Sequence, residues 1–141
     1  MAQYLDIKIP RPYQQGMVIG GVAFGFMLVG KLLGLGLLFP WTASAACLLL
    51  FLVFNNALSI FADQFFVYAQ ESLLTFALTL IGLGLMAWLI SGLSINAAPP
   101  FRTIYLVMVM AYGSLLALCF FLRSMVDYLR RKDEERVNRR R

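Results

Sequence analysis

Four long apolar stretches run through the chain, each closed by a short polar or proline-containing break. They cover residues 17–39, 41–62, 73–93 and 103–126. Each holds roughly 20 residues, which as a helix spans about 30 Å, the thickness of bilayer hydrocarbon. The first is too long for the apolar core of a cleaved signal peptide, about 7–15 residues. The pattern predicts an all-α integral membrane protein: a bundle of four transmembrane helices over 17–126. A polar N-terminal segment (1–16) precedes it, and a charged tail (127–141) follows.

The breaks set further expectations. Pro40 ends the first stretch and leaves only Phe39-Pro40-Trp41 as a hairpin connection. No Gly or Pro occurs between Pro40 and Gly82. The second helix is therefore expected to continue through Asp63, Gln64 and Tyr68, with a turn near Gln70 to Ser72 and Ser72 as the next N-cap. Trp41, Trp88 and Phe101 fall together at one end, as an interfacial aromatic belt would.

Composition agrees with the pattern. Apolar residues make up 61% of the chain and charged residues 13%, about half the charged share of a soluble domain. This excludes a disordered chain and argues against a soluble globular one. His is absent, so no imidazole can ligate zinc or haem or serve as a general base. Cys47 and Cys119 each lie in an apolar run and form no C-x-x-C pair. With no nucleophile–base pair to name, the expectation is a non-catalytic protein without cofactor.

Charge changes the picture through its placement. Twelve basic residues face seven acidic ones, and most of the bases sit near the two ends. Basic termini flanking apolar spans put both ends in the cytoplasm, the expected setting being a bacterial inner (plasma) membrane. The segment from Asp63 to Glu71 runs mildly against this, with two acids and no base. The tail residues Arg130, Arg131, Lys132, Arg136, Arg139, Arg140 and Arg141 suit contact with anionic lipid headgroups or a partner subunit. Orientation accounts for these bases without a nucleic-acid partner.

Three groups are candidates for function. Gly16, Gly20, Gly21, Gly25, Gly30 and Gly34 form overlapping G-x-x-x-G frames in the first helix, which permit close helix–helix approach. They suit contact with this chain's own second or fourth helix, or with another membrane subunit. Ala77, Gly84 and Ser91 in the third helix, and Gly113 and Ala117 in the fourth, suit packing within the bundle. Lys31 is the charge clearly inside a span. It can snorkel toward headgroups, pair with a partner's carboxylate, or serve translocation. Asn55, Asn56, Ser59 and Asp63 form a polar stripe on the second helix, able to glue helices together or line a water path.

No family pattern is met. The first helix lacks the deep acid of small multidrug transporters, and the cysteine pairs of quinone-linked thiol oxidases are missing. The expected function is a small accessory or scaffold subunit of a larger membrane complex. The alternative is a small homo-oligomeric transporter or channel working through Lys31 and the polar stripe.

Overall fold

Arg11 is extended (φ −62°, ψ 148°), and Pro12 follows as the first residue of a helix. Proline suits that place because the N–H it lacks would have no helical partner there. The computed structural model describes residues 10–62 and 64–138, with side chains as far as Glu135. Among the described residues the chain is all-helical: α1 (Pro12–Leu32), α2 (Phe39–Ser59), α3 (Phe65–Ser91), a 3₁₀ turn at Ile95–Ala97, and α4 (Pro99–Asn138). All four α-helices contain stretches long and apolar enough to cross a membrane.

The helices run up, down, up and down. α2 is the most buried and packs on α1, α3 and α4. α1 and α3 also pack on each other, so α1, α2 and α3 form a triangle with α4 along one side. The inward face of α1 is Gly16, Ala23, Met27 and Gly30; that of α4 is Tyr105, Met108, Tyr112 and Cys119. Both follow the spacing of three, four or seven that keeps side chains on one helix face.

Several boundaries differ from the sequence expectation. α1 stops at Leu32, because Gly34 adopts the left-handed conformation (φ 67°). The Leu35 N–H then bonds the Gly30 carbonyl (3.0 Å) and the Gly34 N–H bonds that of Lys31 (3.2 Å), a Schellman closure. The first connection is thus residues 33–38, and Pro40 lies in the first turn of α2 rather than after α1. α2 ends at Ser59, α3 begins at Phe65, and Ser72 lies inside α3, fully buried. The second helix therefore does not continue through Tyr68, and Gln70–Ser72 is helical rather than a turn. At the α2 end, Asn56 Nδ2 donates to the Leu52 carbonyl (2.7 Å) and Ser59 Oγ to that of Asn56 (2.7 Å). The Ala62 carbonyl, between α2 and α3, accepts from Arg123 of α4.

Trp41 also departs from expectation. It is 2% exposed, stacks on Phe101 (6.3 Å between centroids) and meets the Tyr105 ring edge-on (6.0 Å). Its indole N–H donates to the Leu93 carbonyl at 3.2 Å. It is a core residue at the end of the bundle, whereas Trp88 is half-exposed.

Candidate functional site

One hydrogen-bond network links all four helices. Asn55 of α2 lies at its centre, fully buried. Its amide Nδ2 donates to Ser72 Oγ of α3 and to the Tyr112 hydroxyl of α4 (3.2 Å). Ser72 and Tyr112 also bond each other. The Asn55 Oδ1 accepts from the Tyr68 hydroxyl (3.2 Å), which accepts from Gln15 Nε2 of α1 (3.0 Å). Gln15 Nε2 also reaches the Pro10 carbonyl (2.9 Å). Such bonds contribute about 0.6 kcal/mol each in a membrane protein, and linked donors and acceptors polarise one another.

This arrangement divides the expected polar stripe. Asn55 bonds across helices, whereas the side-chain bonds of Asn56 and Ser59 go to carbonyls of their own helix. Asn56 Oδ1 is buried without a hydrogen-bond partner. Cys119 Sγ approaches the Asn56 carbonyl at 3.8 Å. Asp63 lies outside the described residues. Gln15, Tyr68, Ser72 and Tyr112 were not among the functional candidates of the sequence, where Ser72 figured only as an expected N-cap and Tyr68 only in the expected continuation of the second helix. A signal existed for Tyr112: it stands seven residues after Tyr105, and a buried tyrosine hydroxyl needs a partner.

At the opposite end of the bundle, Lys31 Nζ donates to the Ile90 carbonyl at 3.2 Å. Lys31 is in the last turn of α1, and Ile90 is in the last turn of α3. The ammonium therefore sits at the negative ends of two parallel helices, where a cation is favoured. Ser44 and Tyr105 form a further bond between α2 and α4 nearby.

The six candidate glycines from Gly16 to Gly34 separate into three groups. Gly16 and Gly30 are buried. A methyl on Gly16 would meet Thr75 Cγ2 at 2.8 Å and Thr79 Oγ1 at 2.9 Å; one on Gly30 would collide with the Phe39 ring. Gly34 belongs to the turn, so the Gly30/Gly34 frame is not a helix face. Gly20, Gly21 and Gly25 lie in α1 with nothing within 4 Å of an added methyl. The quieter seams also change: Ala77, Gly113 and Ala117 are exposed, while Gly84 approaches Tyr105 and Ser91 is buried.

Where α4 leaves the bundle, a groove of about 680 Å³ opens between it and the start of α3. Its floor is aromatic: Phe66 meets Phe120 edge-on at 5.6 Å and Phe65 meets Phe120 at 6.2 Å. Arg123 lies over the Phe65 ring (5.7 Å). Arg130, Arg131 and Lys132 follow on the exposed continuation of α4. The Arg136 side chain and Arg139, Arg140 and Arg141 lie outside the described residues. Among the described residues, no three of Cys, Asp and Glu stand close enough to share a metal ion.

Comparison with protein-family models, with curated proteins and with solved structures finds no match to this chain.

Proposed function

We propose that the chain is a multi-pass membrane protein, with both ends in the cytoplasm, acting as a small non-catalytic accessory subunit of a larger membrane complex. The expected setting is a bacterial inner membrane. The basic C-terminal continuation of α4 supports the orientation and gives the protein a hold on anionic headgroups. One observation carries the subunit reading. Asn55, Tyr68 and Tyr112 engage one another and Gln15 across the helices, while α1 keeps Gly20, Gly21 and Gly25 open. In lipid, an open small-residue face gains energy by receiving another helix.

The transporter reading has weaker support. Asn55 and Lys31, two of its working residues, each have partners inside the chain. The experiment is purification of N-terminally tagged protein in mild detergent, with the native mass and co-purifying polypeptides determined. The subunit reading expects stoichiometric larger partners, lost when Gly21 and Gly25 are both changed to Leu. A lone homo-oligomer would overturn it and direct attention to flux assays.

A further inference from the structure

We propose that the groove between the start of α3 and the outer turns of α4 binds one anionic phospholipid. An acyl chain lies on Phe66 and Phe120, and the phosphate meets Arg131 with the hydroxyls of Ser124 and Tyr128. All five residues line the groove. The inference rests on the membrane reading above and deepens it, giving the basic continuation of α4 a specific ligand.

Depth is the first argument. Arg102 and Arg123 bracket an uncharged stretch of α4, about 30 Å long as a helix and equal to the hydrocarbon thickness. Arg123 therefore marks one edge of the hydrocarbon. Phe120 falls just inside that edge and Ser124 just outside it, with Tyr128 about 8 Å and Arg131 about 12 Å beyond Arg123, from where the long Arg131 side chain can reach back toward the phosphate level. A lipid in the groove would have its chain and its phosphate at their ordinary depths.

Chemistry is the second. Phe66 is 68% exposed, a large apolar surface at a level where acyl chains are the available neighbours. Arg123 donates to the Ala62 carbonyl and rests on Phe65, so it stiffens the wall. Among the described residues, Asp127 shares the lining with Arg123 and Arg131, leaving one positive charge in excess. That matches a phosphodiester with one negative charge, and the aromatic floor distinguishes a lipid from free phosphate.

The test uses the full chain in mixed phosphatidylglycerol and phosphatidylcholine vesicles of matched acyl chains, followed by native mass spectrometry of retained lipid. One phosphatidylglycerol should be retained over phosphatidylcholine. Arg131→Gln with Tyr128→Phe should lower that preference about fivefold, the scale of one cation near a membrane surface. Arg130→Gln with Lys132→Gln removes more charge outside the groove lining and should leave the preference within about twofold. Equal loss in both variants would mean diffuse headgroup attraction and would overturn the proposal. So would equal retention of the two lipids, or displacement of the lipid by excess inorganic phosphate. A photoactivatable residue at position 66 should label lipid; labelling a polypeptide instead would also overturn it. Release of the protein from vesicles by alkaline carbonate would overturn the membrane reading and this site with it. Carbonate resistance without lipid preference would overturn the site alone.

Discussion

The Tyr112 ring lies flat against Phe76, with centroids 4.0 Å apart and planes within 6°. That stacking, between α4 and α3, holds the Tyr112 hydroxyl beside both Asn55 and Ser72. An apolar contact thus positions a polar one, and α4 is fixed to the α2–α3 pair by both.

Tyr112→Phe keeps the stacked ring and removes the hydroxyl. It should destabilise the protein by about 1 kcal/mol, within the range of polar contacts inside membranes. Asn55→Ala should cost more, about 2 kcal/mol, because it strips partners from Tyr68, Ser72 and Tyr112 together. The double variant should cost less than the sum, by about 0.5 kcal/mol or more. Unfolding in mixed detergent micelles measures all three, and additive effects would contradict a shared network.

Gly16 and Gly21 should respond oppositely to enlargement. Gly16→Leu pushes into Thr75 and Thr79 and should lower monomer stability by about 1–3 kcal/mol, the cost of overpacking. Gly21→Leu meets open space and should leave monomer unfolding unchanged while weakening association with partners. Paired thermal unfolding and co-purification separate the two effects.

The turn glycines carry backbone strain that other residues would feel. Gly34 and Gly92 both have positive φ, 67° and 71°. Gly34→Ala and Gly92→Ala should each cost about 1–2 kcal/mol. Gly113→Ala, in mid-helix with open space around it, should be neutral or stabilising by up to about 1 kcal/mol. Equal effects at all three positions would contradict the turn assignment at 34 and 92.

Lys31 substitutions test its place at two helix ends. Stability should follow the order Lys31 and Lys31→Arg, then Lys31→Met, then Lys31→Glu, over a span of about 1–2 kcal/mol. Equal stability of the Glu variant would exclude the capping role. The subunit reading expects Lys31→Met to lose assembly or to have no effect, whereas the transporter reading expects transport to be lost with assembly intact.

Periodicity by itself determined the helical class and the number of long apolar segments. Those features depend on composition over about 20 residues at a time, and no distant contact can reverse them. Gly and Pro punctuation was legible too, though it misled at Pro40, which marks the start of α2, while α1 ends on the backbone freedom of Gly34. The break between α2 and α3 was not legible. It contains no Gly or Pro, and a carbonyl in it is satisfied by Arg123, 61 residues away. Nor could local pattern tell which asparagine of Asn55 and Asn56 faces the other helices. That choice depends on helix rotation, set by where Tyr68, Ser72 and Tyr112 approach. Tertiary structure also separated the glycines, because a small residue is equally compatible with a buried contact, a turn or an open face. Only the neighbour placed opposite decides among them: Thr75 and Thr79 at Gly16, Phe39 at Gly30, and open space at Gly20, Gly21 and Gly25.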